Sequence, residues 1–189
     1  EFAGKFYPDP TFDDRDRLAK ETKAYKFLHS NAFKSVPKNI WSDNNLNFGL
    51  FEWVNGTEIN EITNSNVINA TAFVESLAEL SKHTSKKEFQ LASAACLSGQ
   101  MIEEQIQNRY TTIREFSDSK SDLLRFLEND FLDTFEQILS ESKKNWPGEF
   151  ETDLSDDYQL LSPSDFGFHN AMLSKEGLKF IDFEYFGWD

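Results

Sequence analysis

Cysteine is almost missing from this chain: Cys96 is the only one in 189 residues. That excludes an internal disulfide and a thiolate zinc cluster, and a small core residue is the expected use of the one thiol. Glycine is scarce too. Its eight residues are scattered singly, so no glycine-rich loop is available to cradle a phosphate. Positive charge is outnumbered, with 19 Lys and Arg against 33 Asp and Glu and a net charge of −14. Nucleic-acid backbones demand basic patches, so no nucleic acid is expected as a partner. No apolar run approaches the length that spans a bilayer, and no membrane partner is expected. No signal-peptide pattern is visible; the cytoplasm, where thiols stay reduced, is the default location. His29, His83 and His169 share no zinc-ligand spacing, and no G-x-S-x-G elbow or Cys–His pairing points to a hydrolase. The sequence carries no signature of oligomeric state.

What the chain does have is apolar and aromatic content, 39% and 15%, with 19 Phe. At this length that suffices for a buried core. The acidic surface serves solubility first, and attraction of a cationic small molecule second.

Residues 161–189 are the most informative stretch. Asp165 is followed five positions later by Asn170, and a hairpin pattern then delivers Asp182. That order supplies an acid able to take a hydroxyl proton, then two hard oxygen ligands suited to Mg²⁺, as phosphoryl transfer requires. With 15 Asp and 14 Asn in the chain, about one D-x-x-x-x-N match arises by chance, so the context has to add weight. Tyr158 to Leu161 reads as a short buried strand, broken by Ser162-Pro163-Ser164 just before Asp165. Ala171 to Leu173 and Leu178 to Ile181 read as two strands joined by a turn over Ser174 to Gly177. Asp182 then stands at the end of the second. The alternative is that Asp165 and Asn170 are ordinary turn residues.

The other half of the pattern lies near the start. Glu1 to Tyr7 reads as a strand with Lys5 among apolar neighbours. Asp9-Pro10-Thr11 marks a break, and Thr11-x-x-Asp14 resembles a helix-opening capping box. The helix expected from about Asp13 to Ser30 places Leu18, Glu21, Tyr25 and Leu28 on one stripe. A carboxylate on an apolar face is costly unless paired, and Lys5 is its preferred partner. An exposed i, i+4 pair of Arg17 with Glu21 is the alternative.

Between these ends the pattern is largely helical. Val36 to Trp41 and Asn47 to Val54 read as strands split by the turn Ser42 to Asn45. Asn64 to Thr84 is amphipathic, with Val67, Ala70, Val74 and Leu77 on one face. Ile102, Ile106, Arg109 and Ile113 form a second stripe within Ser98 to Phe116. Leu124, Leu127, Phe131, Phe135 and Ile138 form a third within Ser119 to Lys144. Each is expected to be a core face. Strands, a helical block and a final β-loop-β unit amount to α+β in two lobes, with the boundary near Asn55.

Taken together, these residues resemble the aminoglycoside phosphotransferase and choline kinase superfamily, small-molecule kinases with a protein-kinase-like fold. The resemblance is carried by Lys5, Glu21, the segment Phe51-Glu52-Trp53-Val54-Asn55-Gly56, and above all Ser164 to Asn170 and Ile181 to Tyr185. It implies a partial N-terminal nucleotide-binding lobe of strands and one helix over 1–55. A larger, mainly helical lobe with the catalytic loop and metal-binding hairpin would occupy 56–189. Asp165 would be the base, Asn170 and Asp182 would hold Mg²⁺, and Lys5 with Glu21 would position the phosphates of ATP or GTP. The backbone of Glu52, Trp53 and Val54 would meet the adenine edge. Glu184 matches an acidic position two places after the metal-binding aspartate, with no role assigned.

The chain departs from the family pattern at Pro163, where relatives usually carry a His that braces the loop. It is also expected to be a kinase lacking the N-terminal strands and C-terminal helices. Two functions stay open: transfer of the γ-phosphate to a hydroxyl of a small molecule (aminoglycoside-, choline- or sugar-like), or a weakly active or inactive kinase-like module that binds a metabolite or protein partner.

Overall fold

Strict alternation of side chains sets the first strand. In β1 (Phe2–Phe6), Phe2, Gly4 and Phe6 face solvent while Ala3 and Lys5 turn inward, followed by the buried Tyr7. The structure, a computed structural model, describes residues 1–9, 15–117 and 121–189. It divides into two compact units, one comprising Glu1–Ala95 with Gln159–Asp189, the other Cys96–Tyr158.

In the first unit, α1 (Arg17–Ser30) follows β1. It opens at Arg17 rather than Asp13 because Asp16 is the N-cap, its side chain accepting from the Ala19 N–H at 3.0 Å. The capping box expected at Thr11 to Asp14 lies outside the described residues. The buried stripe holds Leu18, Glu21, Tyr25 and Leu28, joined by Thr22 and Ala24.

Strands β2 (Asn39–Asp43) and β3 (Phe48–Glu52) complete an antiparallel sheet in the order β1-β3-β2. The Asp43 carboxylate ties the turn between them, accepting from the N–H groups of Asn45 at 2.8 Å and Leu46 at 3.1 Å. Strand β2 starts later than expected because Val36 is not paired in the sheet but buried in the core.

A short strand absent from the sequence reading, β4 (Gly56–Glu58), leads into α2 (Asn64–Ser81). Thr63 and Asn66 form a reciprocal capping box at its start. The face of α2 differs from expectation. Asn66, Phe73, Leu77 and Ser81 are buried, whereas Val67 and Val74 are 48% and 45% exposed. Ala70 and Leu77 belong to both stripes, but the bulk of Phe73 and the buried cap at Asn66 rotate the helix toward the 66-70-73-77 side.

Of the strand expected at Tyr158 to Leu161 only Leu161 is paired, in β5 (Leu161–Ser162), while Tyr158 is 73% exposed. The hairpin of β6 (Ala171–Ser174) and β7 (Gly177–Phe180) turns over Lys175-Glu176, and Gly177 takes φ +107°, a conformation that favours glycine. Strand β4 adds to it in the order β4-β6-β7, and β5 pairs with β8 (Gly187–Trp188).

Aromatic rings bind these layers. Phe73 lies 5.5 Å from Phe166, 4.6 Å from Phe180 and 6.2 Å from Phe183 between centroids. Tyr25 reaches Phe51 at 5.3 Å and Phe183 at 5.2 Å. Burying each such ring contributes roughly 2–3 kcal/mol, and together they tie α1, α2, β3 and the segment after β7 into one core.

The second unit holds α3 (Gly99–Phe116), capped by Ser98, then α4 (Asp122–Phe126) and α5 (Leu132–Asn145). The single helix expected over Ser119 to Lys144 is interrupted by a π turn at Leu127–Phe131. The extra residue per turn shifts the stripe, and Phe131 ends up stacked between Tyr110 at 5.7 Å and Phe135 at 5.8 Å. Leu127 is buried, but Ile102, Ile113 and Ile138 are exposed, so the two stripes are not the core faces expected.

Candidate active site

Lys5 sits where β1 meets α1. Its ammonium lies 2.8 Å from Glu21, 2.7 Å from Asp182 and 2.9 Å from Glu184. One cation therefore answers three carboxylates whose oxygens lie within 4.8 Å of one another. Burial alone would push the Lys5 pKa down. The Glu21 charge and the bonds to Asp182, Glu21 and Glu184 outweigh it, and the pKa stands above the ordinary lysine value.

Glu21 is almost fully buried and its carboxylate is amply satisfied. Oε2 accepts from Lys5 and from the Tyr7 hydroxyl, and Oε1 accepts from the Phe183 N–H at 3.1 Å. Burial and then the Glu21 charge raise the pKa of Tyr7 and of Tyr25, so both phenols stay neutral donors. The Arg17 alternative is not what forms: the Arg17 guanidinium bonds Glu184 at 2.6 Å. It also stacks on the Tyr185 ring, 5.1 Å from its centroid.

The Asp165 loop hangs from the core by Phe166 and Phe168, both packed against the buried cluster. Ser164 holds φ +69° in a tight turn closed by the Asp165 N–H donating to Pro163 O at 2.9 Å. Such a turn is strained for a non-glycine residue. Pro163 itself is buried. Asn170 Nδ2 donates to the Asp165 backbone oxygen at 2.9 Å and to its Oδ2 at 3.3 Å, while His169 Nε2 meets Oδ1 at 3.1 Å. The Ile181 N–H donates to Asn170 O at 2.9 Å, which ties this loop to the residue preceding Asp182. Asp182 takes φ +67°, and its N–H donates to the Tyr25 hydroxyl at 3.1 Å.

At the end of β3, Glu52 is bound into the sheet. Its N–H donates to Lys38 O at 2.9 Å and its carboxylate accepts from the Lys38 N–H at 3.2 Å. Val54 O accepts from the Gly56 N–H at 3.0 Å, and Trp53 is half exposed. Lys5, Glu21 and Asp182 thus share one cluster, and Asp165 with Asn170 forms a second group joined to it through Ile181. Glu52, Trp53 and Val54 stand apart from both.

No protein-family model and no curated protein matches the sequence. Solved structures share its fold. Spectinomycin phosphotransferase in complex with ADP and spectinomycin aligns at TM-score 0.61 and 13% identity, over 99% of this chain and 56% of that one. Macrolide 2'-phosphotransferase of Brachybacterium faecium aligns at TM-score 0.55 and 12% identity, over 99% and 59%. Choline kinase of Streptococcus pneumoniae aligns at TM-score 0.53 and 16% identity, over 99% and 57%. The fold is that of the small-molecule phosphotransferases. The chain spans less than three fifths of the length of these structures.

Within this phosphotransferase fold, the donors present fit a hard cation. Asp182 offers a carboxylate whose side chain is 34% exposed. With its Nδ2 committed to Asp165, Asn170 has its amide oxygen for a metal. The carboxylates of Glu21 and Glu184 are less suited, since Lys5, Arg17 and Tyr7 already hold them. Three contacts of the site escaped the sequence reading, those of Tyr7, of Tyr25 and of the Arg17–Glu184 pair. Tyr7 lies two residues after Lys5 on the same side of the chain, and Tyr25 lies one turn after Glu21, so spacing carried a signal for both. The Arg17–Glu184 pair spans 167 residues, and no local pattern announces it.

Proposed function

We propose that this chain carries the nucleotide-handling and catalytic groups of a kinase that moves the γ-phosphate of ATP or GTP to a hydroxyl of a small molecule. The observation that carries the reading is the Lys5–Glu21 ion pair at 2.8 Å, with Asp182 2.7 Å from the same ammonium. It occurs in a fold shared with enzymes that phosphorylate spectinomycin, macrolides and choline.

Lys5 is aimed by Glu21 and would place its charge against the nucleotide phosphates. Asp165 would orient the acceptor hydroxyl and take its proton as the oxygen bonds to the γ-phosphorus and ADP leaves. Asn170 and Asp182 would hold Mg²⁺, which when bound neutralises charge on the phosphate oxygens. The backbone of Glu52 to Val54 would meet the purine edge. Glu184 keeps Lys5 in place from the other side, with Arg17 balancing its charge. Such a site works chiefly by positioning and fixed charge.

Calorimetric titration of the full natural chain with ATP, with and without Mg²⁺, beside Asp182→Ala, tests the reading. Binding that requires Mg²⁺ and weakens at least about tenfold in the variant is the expected result. A folded protein that binds ATP under neither condition would instead be a kinase-shaped module for a metabolite or a protein partner.

A further inference from the structure

Asp165 is half exposed, with 51% of its side chain open to solvent. A short carboxylate in that setting rotates unless something holds it. Asn170 reaches its Oδ2 only at 3.3 Å, its better bond going to the backbone oxygen at 2.9 Å. The stronger hold on the carboxylate itself is His169, whose Nε2 lies 3.1 Å from Oδ1.

The surrounding residues make room for that imidazole. Gly167 has φ −177°, extended backbone open to any residue, so its missing side chain has no conformational cause. Its cause is spatial. A Cβ on Gly167 would stand 2.7 Å from both Nδ1 and Cε1 of the His169 ring. Phe166 and Phe168 on either side pack against the core, so the exposed ring, rather than the backbone of this turn, would give way to relieve the clash. Glycine at 167 and histidine at 169 therefore form one device, with the ring lying over the glycine and pointing its Nε2 at Asp165.

We propose that His169 is a positioning residue for Asp165. As the Nε2–H tautomer it donates to Oδ1 and fixes the rotation of the carboxylate that receives the hydroxyl proton. This inference rests on the phosphotransferase reading above. With 63% of its side chain exposed, His169 leaves no cavity when shortened, so a purely structural role predicts little effect on anything. A carboxylate free to rotate loses the alignment that proton transfer needs, and misplacement of that kind lowers turnover more than it lowers ground-state binding.

The experiment has two arms on the full natural chain. Long-range ¹H–¹⁵N spectra of the three histidines, assigned with His169→Gln, read the tautomer directly. The Nε2–H pattern at His169, lost in Asp165→Ala, is expected, whereas an Nδ1–H pattern or one indifferent to Asp165 overturns the proposal. Steady-state turnover of Mg²⁺-ATP, with water as acceptor, supplies the second arm. His169→Ala should lower kcat about tenfold with the ATP KM within about twofold. His169→Gln, which keeps an N–H at a similar reach, should recover most of the loss. Gly167→Ala should reproduce the His169→Ala defect, and the double variant should be no worse than either. Unchanged kcat in His169→Ala, or additive losses, overturns the proposal. If the wild-type chain neither binds nor turns over ATP, the phosphotransferase reading itself falls, and this inference with it. That outcome is distinct because it appears before any variant is compared.

Discussion

Arg17 and Glu184 lie 2.6 Å apart, and the other oxygen of the same carboxylate reaches Lys5 at 2.9 Å. The start of α1 and the segment after β7 are thereby fastened by one side chain with two cationic partners. Burial works against the Glu184 charge, but the bonds and charges of Lys5 and Arg17 win, and its pKa is held below the ordinary 4.5.

A carboxylate with a depressed folded-state pKa stabilises the protein fully above its unfolded value. That contribution is lost as pH falls through the folded value. The stability of the wild type, measured by chemical denaturation, should therefore fall progressively below about pH 4.5. Glu184→Gln should be less stable at neutral pH and should flatten that acid limb. A variant with an unaltered acid limb would show that Glu184 does not carry this dependence.

Glu21→Ala should cost about 1–3 kcal/mol, because it strands the Tyr7 hydroxyl and the Phe183 N–H, while Lys5 keeps Asp182 and Glu184. Glu21→Gln keeps the shape and an acceptor oxygen and should cost less. Urea titrations of both, compared at constant m-value, measure the difference. Equal losses would mean that the charge, rather than shape or packing, dominates at this position.

Asp182 has the left-handed backbone at φ +67°, which Asn tolerates and β-branched residues resist. Asp182→Asn should stay close to wild type in melting temperature. Asp182→Val should be less stable than Asp182→Asn by about 1–2 kcal/mol. Parallel thermal melts decide it, and two coincident curves would argue that the backbone relaxes there.

Gly187 lies flat against the chain at Gln90 to Ala92. A Cβ there would stand 2.5 Å from Ala92 N and Gln90 O, both backbone atoms that hydrogen-bond Trp188. Gly187→Ala should thus open the pairing of Trp188 with Gln90 and Ala92 at a cost of at least about 2 kcal/mol. Hydrogen exchange at Trp188 and Ala92 should accelerate in the variant, and unchanged protection would contradict the steric reading.

The sequence was legible where the physics is local. Lys5 among apolar neighbours, Glu21 on an apolar stripe, and the turn residues of the β6–β7 hairpin each imply their own surroundings. Their roles in catalysis remain proposals. The face of α2 was misread because Val67 and Val74 fit the helical period as well as Phe73 does, and only the larger ring's partners Phe166 and Phe180 decide between them. The π turn at Leu127–Phe131 breaks the period on which the third stripe was read. Strands β4 and β8 are too short to carry alternation, and their pairing partners lie far off in the chain. The start of α1 was placed too early because the Asp16 cap competes with several acidic residues close by.

Three acids gathered within 4.8 Å around a single ammonium make a site whose charge is never balanced by Lys5 alone. Arg17 makes up part of the deficit. If an arriving anion drew Lys5 toward itself, Asp182 and Glu184 would lose their shared counter-charge in the same movement, and their affinity for any other cation would rise. The grip on an anion and the appetite for a cation are then two readings of one electrostatic spring, with Lys5 as its moving end.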